Sequence, residues 1–372
     1  MVRSQQSTDV FVVGAGPAGL AAAIAARQKG FEVVVADGSA PPIEKPCGEG
    51  MMPETLAGLR TLGVELGAAE GHRFSGICLV QEGACVTANF PQGPGIGMRR
   101  SILHERMVAR AEECGVQLRW KTPVVGIDQG DIQLVAGKVR AQWIVGADGQ
   151  GSRVRRWGGL DVARRNQVRF ASRRHYRVKP WSSHMQIWWG QHAQAYVTPT
   201  GREENCIVIM SDTPGRASFD AALQEWPELR ARLANAQLGS RERGAVTSMR
   251  SLRRVQNGNV ALLGDASGSV DAITGEGLRM AFQQATALAE AMVEGDLTSY
   301  EQAHRALERR PMLMGDLMLW LGRNPRIRRR VVGAMKSRPD LFARFLATHV
   351  GMTDPKSLLS AGAQLGWQLL HV

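Results

Sequence analysis

Asp9-Val10-Phe11-Val12-Val13-Gly14-Ala15-Gly16-Pro17-Ala18-Gly19 continues through a run of alanines to Lys29, then into Phe31-Glu32-Val33-Val34-Val35-Ala36-Asp37. The apolar run from Asp9 to Val13 reads as a buried strand, Pro17 to Lys29 as a helix, and Phe31 to Ala36 as a second strand. Together they span about 30 residues, the length a strand–helix–strand crossover needs. Three glycines separate the first strand from the helix at G-x-G-x-x-G spacing. Gly14 allows the tight turn, Gly16 lets a pyrophosphate approach the backbone, and Gly19 lets helix and strand close on each other. The helix N-terminus behind them offers free N–H groups and the positive end of its dipole to an anion. Asp37, at the end of the second strand, stands where an acid binds a ribose hydroxyl. The stretch is too short, and too broken by Gly14, Gly16, Pro17 and Gly19, to be a membrane span.

Two later motifs repeat the theme. Gly146-Ala147-Asp148-Gly149, with Ser152 and Arg155, directly follows the apolar strand Trp143 to Val145. Val260-Ala261-Leu262-Leu263-Gly264-Asp265 then leads through Gly268 to Thr274-Gly275-Glu276-Gly277 and a long helix, Leu278 to Glu294. Gly264 lets a cofactor lie against a strand end, and Asp265 can accept hydrogen bonds from polyol hydroxyls. The helix opened by Gly275 to Gly277 puts a positive end beside any negative charge on a ring system. Between these motifs the period changes to two. His184 to Trp189, Ala195 to Val197 and Asn205 to Met210 read as strands of a mixed or antiparallel sheet, and Phe219 to Asn235 as a helix.

The expected fold is therefore α/β (α+β): a Rossmann-like nucleotide-binding domain, an inserted β-sheet substrate domain and a helical C-terminal region. The expected boundaries are 9–165 and 240–300 for the first, with strands near 72–98 interleaved, 166–239 for the second, and 301–372 for the third. Hydrophobic residues at 44% and charged residues at 22% exclude wholesale disorder. Net charge of +12 favours anionic partners, but aromatics are only 6% and no nucleic-acid motif accompanies the charge, so nucleic acid is not expected. The five cysteines form no C-x-x-C pair and no metal-like spacing. They read as reduced thiols of a cytoplasmic protein without a metal.

The three glycine-rich motifs, in this order and at these separations, resemble the FAD-binding set of the para-hydroxybenzoate-hydroxylase-like flavoproteins. That superfamily holds aromatic hydroxylases, flavin-dependent halogenases and geranylgeranyl reductases. The resemblance spans Asp9 to Met292. It implies FAD as cofactor, NADPH or NADH as reductant without a Rossmann domain of its own, and Arg100 as a contact to FAD. Pro46-Cys47-Gly48-Glu49-Gly50 resembles the reductases' Cys-Gly loop beside the flavin, as does Gly-Glu-Gly at 275–277. Asp271-Ala272 departs from both branches, which carry a proline there. The reductases' Tyr-x-Trp-x-Phe-Pro pattern shrinks to Ala195-Tyr196-Val197-Thr198-Pro199. The halogenase Trp-x-Trp signature is absent.

Cys47 and Glu49 are the expected acid or base residues, with a small structural cysteine and a solvated glutamate as the alternatives. His184, Gln186 and Trp188 share one face of a strand and are the candidate substrate-facing set, with Met185, Ile187 and Trp189 turned to the core. Tyr196 is a further candidate substrate contact. Arg173 to Tyr176 read as a solvated sheet edge. The basic run Arg326 to Arg330 reads as an exposed turn of a helix capping the substrate domain; peripheral contact with a membrane or an acyl carrier is its second reading. The expected reaction is NAD(P)H-dependent oxygen insertion into a hydrophobic small molecule through a flavin C4a-hydroperoxide. Reduction of an isoprenoid or conjugated alkene follows closely, and a non-catalytic flavin redox sensor is third.

Overall fold

The computed structural model describes residues 6–67, 69–128, 130–214 and 218–351. The strands that build the site are β1 (Gln6–Val13), β2 (Val33–Ala36), β3 (Gly76–Gln81), β4 (Ala84–Asn89), β5 (Gly137–Gly146), β6 (Ala163–Arg177), β7 (Met185–Trp189), β8 (Ala193–Gly201), β9 (Glu204–Ser211), β10 (Arg243–Leu252) and β11 (Val260–Leu262). The helices are α1 (Pro17–Gln28), α2 (Arg100–Glu113), α3 (Gly277–Glu294), α4 (Leu297–Arg323), α5 (Pro325–Ser337) and α6 (Pro339–His349).

β1 runs parallel to β2 on one side and to β5 on the other, and β11 extends the sheet beyond β5. Val10 to Val13 and all of β2 are buried, as a parallel sheet covered on both faces requires. Each such aliphatic side chain contributes about 1.5–3 kcal/mol by leaving water. α1 packs against this sheet, against α2 and against α3. Its closeness to the strand depends on Gly19, where a Cβ would lie 1.8 Å from the Gly14 carbonyl oxygen.

The second sheet has the order β10-β6-β9-β8-β7-β3-β4, with β7 and β3 parallel and the other pairs in that path antiparallel. The strands of this path come from two stretches of chain, 76–89 and 163–252, and Gly268–Ser269 adds a short edge strand beside β10. β10 pairs with β6 from Ala163↔Leu252 to Arg173↔Arg243, so residues 243–252 belong to this sheet beyond the boundary expected at 240. One face carries Ile187, Trp189, Tyr196, Val208 and Met210 against α4, α5 and α6. The other carries Trp188, Ala195, Val197, Ile207 and Ile209 against Phe219–Leu223 and Pro227–Leu233. Those are two short helices rather than the single one expected over Phe219 to Asn235. Pro227, which has no N–H to donate, begins the second.

Helix continues to His349, and the expected helical reading of 352–372 lies outside the described residues. Cys78 and Cys85 are joined by a disulfide across the β3–β4 hairpin, against the expectation of reduced thiols; Cys47, Cys114 and Cys206 are free.

Candidate cofactor and substrate cavity

A cavity of about 950 Å³ runs from the carboxyl ends of β1, β5 and β11 to the sheet face beneath α4–α6. Ligand sites at the carboxyl ends of parallel strands are the general rule for such sheets. Gly14 has φ +104°, and a Cβ there would lie 2.5 Å from the Ala147 oxygen. Gly16, which lines the cavity, faces open space: nothing lies within 4 Å of where its Cβ would be. The same holds for Gly277, the first residue of α3. Two backbone segments that begin helices are thus bare toward one cavity, the arrangement that admits phosphates and a ring close to N–H groups.

The polar groups around this end divide into those already engaged and those open to a ligand. Asp37 lies outside the cavity lining, and both its oxygens are used, one by Ala15 N (2.8 Å) and the other by Ser39 N (2.8 Å). Asp148 lines the cavity, and its Oδ2 accepts from Arg153 N (2.6 Å) and Val154 N (3.2 Å), fixing the helix Arg153–Trp157. Its Oδ1 is buried without a partner. Glu276 is also in the lining, but its carboxylate turns to Arg279 and lies 3.9 Å from Arg310 and 3.7 Å from His349. Asp265 faces the cavity; the surrounding protein raises its carboxyl pKa, and Lys45 and Arg100 oppose the rise. Arg100 Nε is buried without a partner, at the start of α2 and in the cavity wall. An orphaned guanidinium nitrogen, bare glycine backbone and a carboxylate at the strand end fit a dinucleotide with a polyol link. Gly14, Gly16, Gly19, Arg100, Asp148, Gly264, Asp265, Gly275 and Gly277 are the residues that would shape or hold FAD here.

At the substrate end the expected strand face is reversed. Met185, Ile187 and Trp189 line the cavity, whereas Gln186 and Trp188 lie on the opposite face, where Gln186 Oε1 accepts from both Trp188 Nε1 (3.2 Å) and Trp181 Nε1 (2.9 Å). His184 precedes β7 and pairs with Asn89 at 2.8 Å, half-buried and away from the cavity lining. Both faces of this sheet are apolar because helices cover both, so alternation alone does not tell which set meets the ligand. Tyr196 lines the cavity, with its hydroxyl donating to Gln194 Oε1 (3.1 Å). Burial pushes its phenol pKa up. Arg169 joins the same group, donating to Gln194 Oε1 (3.0 Å) and Asp271 Oδ1 (2.9 Å). Asp271, in place of the proline expected from the resemblance, caps the turn Ala272–Thr274.

Cys47 and Glu49 both line the cavity. Glu49 is buried, not solvated, and holds φ +59°, a costly conformation for a residue with a side chain. Three groups secure its carboxylate, and its backbone N–H makes a fourth contact. Arg173 Nη1 (2.8 Å) and Arg100 N (3.2 Å) reach Oε1, His175 Nε2 reaches Oε2 (2.7 Å), and its own N–H points to Cys47 Sγ (3.4 Å). Arg173 and His175 are therefore buried functional candidates rather than a solvated edge. β6 is an interior strand, and Arg169, Arg173 and His175 project from one face of it at even spacing. That even spacing of basic groups was the signal available in the sequence. Cys206 joins Glu49 and His175 within 4.8 Å, the one grouping of metal-ligand type among the described residues. The Arg173 guanidinium already occupies the carboxylate, where a cation would have to compete with it.

The family described as FAD binding domain matches residues 7–296. Menaquinone reductase of Mycolicibacterium smegmatis is 28% identical over 322 residues, covering 79% of this chain and 78% of the relative. Digeranylgeranylglycerophospholipid reductase 1 of Methanothermobacter thermautotrophicus is 24% identical over 326 residues, covering 80% and 81%. Among solved structures, the flavin-dependent brominase Bmp2 superposes with a TM-score of 0.81 at 20% identity, over 98% of this chain and 100% of that one, a likeness of fold. The bare glycine cradle, the open Arg100 and the matched family agree: the chain belongs to the FAD binding domain family and is an FAD-dependent oxidoreductase of the para-hydroxybenzoate-hydroxylase-like superfamily.

Proposed function

We propose that this oxidoreductase reduces a carbon–carbon double bond in a lipid-soluble, isoprenoid-bearing molecule, with NADPH or NADH as the hydride source. The observation that carries the reading is the far half of the cavity, walled by Met185, Ile187, Trp189, Met314, Leu317 and Met335 and opening beside the exposed Leu313 and Trp320. Bound FAD would supply hydride transfer; the chain's own residues supply the rest. The apolar wall excludes water and holds a flexible chain, with methionines adapting to its shape. Cys47 and Glu49, at the junction of the two halves, stand where a proton must be delivered. Both relatives named above bear reductase names and act, by those names, on lipids, which supports reduction over the oxygen insertion that the superfamily resemblance put first.

No described helix is long and apolar enough to cross a membrane. The cavity mouth nevertheless carries Leu313 and Trp320 beside α5, whose Arg326, Arg329, Arg330 and Lys336 are exposed. We place this mouth against an anionic lipid surface on the cytoplasmic side, with the substrate entering from the bilayer.

The test is anaerobic. The FAD-loaded protein is reduced, mixed with menaquinone or a geranylgeranyl lipid, and followed by flavin absorbance and product mass. Flavin reoxidation without oxygen and a product heavier by two hydrogens are expected. A product gaining one oxygen atom, formed only in air, would overturn reduction in favour of oxygenation.

A further inference from the structure

Reduction of a double bond consumes one hydride and one proton, and that proton must reach the mostly apolar cavity from outside. We propose that Ser240, His175 and Glu49 form that route, carrying one proton per turnover from the protein surface to the cavity; this rests on the reduction proposed above. The three are joined without a gap. Ser240 Oγ lies 2.8 Å from His175 Nδ1, and His175 Nε2 lies 2.7 Å from Glu49 Oε2. Ser240 is partly exposed, His175 and Glu49 are buried, and Glu49 lines the cavity beside Cys47. The path therefore begins in water and ends at the reaction space.

The geometry also sets the direction of the hydrogen bonds. A carboxylate at Glu49 places the proton on Nε2 of His175, which leaves Nδ1 to accept from the Ser240 hydroxyl. The route is loaded before the step: a solvent proton passes through Ser240 to Nδ1 as the Nε2 proton of His175 passes to Glu49, the Nε2–H bond breaking as the Glu49 O–H bond forms. Bound FAD, when reduced, would supply the hydride to one alkene carbon. Glu49 gives its proton to the other, one C–H bond forming as the O–H bond breaks, and returns to the carboxylate. A half-turn of the neutral imidazole restores the Nε2–H tautomer, so one solvent proton is consumed per turnover. A Ser–His–Glu line also suggests a nucleophilic serine. Ser240 Oγ, however, already accepts from the backbone N of His175 (3.2 Å), and its single proton turns between His175 Nδ1 (2.8 Å) and the Arg241 carbonyl (3.2 Å), at the end of the path remote from the cavity.

The charged and titratable groups around the path come from every neighbouring element. Cys47 lies on the Glu49 loop and Arg173 on β6 with His175. Cys206 and Glu204 lie on β9, and Arg99, just before α2, pairs with Glu204. Glu44 lies 4.0 Å from Arg173. Burial, then the Glu49 charge, pushes the Cys206 thiol up, so it stays protonated and does not compete for the proton. Arg173 Nη1 donates to Glu49 Oε1 (2.8 Å) and holds the carboxyl group in place.

Two variants and two readouts test the route. His175→Gln keeps an N–H toward Glu49 but carries no titrating proton, and Ser240→Val cuts the path at its exposed end with little demand on packing. In single-turnover reoxidation by the lipid alkene, His175→Gln should slow the step by roughly 100-fold and flatten its pH profile, the usual scale for a lost acid–base group. Ser240→Val should slow it less and raise the solvent deuterium isotope effect. Flavin reduction by nicotinamide, which consumes no proton, should be unchanged in both. Independently of turnover, NMR of ring-labelled histidine in the FAD-bound protein should show the His175 Nε2 proton exchanging with water several-fold more slowly in Ser240→Val. Wild-type rates, pH profile and isotope effect in both variants, or unchanged ring exchange in Ser240→Val, would overturn the route. If no alkene reoxidises the wild-type flavin, the reduction itself fails, and the exchange measurement still judges the path.

Discussion

Gly14 shows how much of the cofactor end depends on one missing side chain. At φ +104° its backbone is strained for any other residue, and a Cβ would lie 2.5 Å from the Ala147 oxygen. Because β1 and β5 meet there, the clash cannot be relieved without parting two central strands. Gly14→Ala should therefore yield protein with little or no bound flavin, read as the ratio of flavin to protein absorbance after purification; full flavin content would contradict the cradle described here. Asp271 is the counterpart at the substrate end. Its carboxylate and Arg169 are both almost completely buried and bonded at 2.9 Å. Asp271→Ala leaves the guanidinium with Asp212 at 3.0 Å and Gln194 as partners. Breaking a buried pair costs about 3–5 kcal/mol, and Asp212 should hold the loss to the lower end. Urea unfolding measures it, and a loss below about 1 kcal/mol would mean that Asp212 had taken over the pair.

Among the elements, α4 and α5 decide what reaches the cavity. Leu313 and Trp320 of α4 are exposed at 57% and 48%, and the basic residues of α5 lie beyond them. Arg328 departs from the expected exposed run. It is buried, bonded to Gln81 and to the Gly190 and Gly322 carbonyls, with its guanidinium 5.0 Å from the Trp189 ring centroid. Arg328 thus ties α5 to the sheet and leaves Arg326, Arg329 and Arg330 for a lipid surface. Trp320→Glu together with Arg329→Glu and Arg330→Glu should abolish cosedimentation with anionic vesicles while leaving flavin content intact; undiminished cosedimentation would move the contact elsewhere. The same scale explains what the sequence could and could not tell. The first strand–helix–strand unit was legible because each glycine has a separate steric reason, and β1, α1 and α3 lie within a few residues of their expected bounds. The cavity face of β7 was not legible, because Ile187 and Trp188 are both buried and only the helices packed on either side distinguish them. Arg173 and His175 read as a surface edge for a related reason: the sequence does not reveal that β10 and β9 flank β6.

Across the whole molecule, one buried pair under α4 should shape stability against pH. His304 Nε2 meets Ser267 Oγ at 2.8 Å, the Tyr300 ring packs edge-on, and Glu308 Oε2 lies 3.9 Å from Nδ1. Burial, with Arg305 adding to it, lowers His304 to about 4. Burial raises Glu308 to about 7, with Ser251, Arg164 and Arg305 pulling the other way. The two shifts act in opposite senses. Glu308 contributes stability that is complete below its unfolded pKa of 4.5 and is lost as pH rises through about 7. His304 contributes stability that is complete above its unfolded pKa of 6.5 and is lost as pH falls through about 4. From about pH 4.5 to 6.5 the folded pair stays neutral, while in the unfolded chain the glutamate has given up its proton and the histidine still holds an extra one, so the slopes nearly cancel. The wild-type protein should be close to flat over that window as far as this pair is concerned. Glu308→Gln removes one half of the balance. The histidine then acts alone, and stability should climb with pH between about 4 and 6.5 by roughly 3 kcal/mol relative to wild type. Urea midpoints taken across this range for the two proteins decide it: diverging curves locate the compensation at His304 and Glu308, and parallel curves place the pH response elsewhere in the fold.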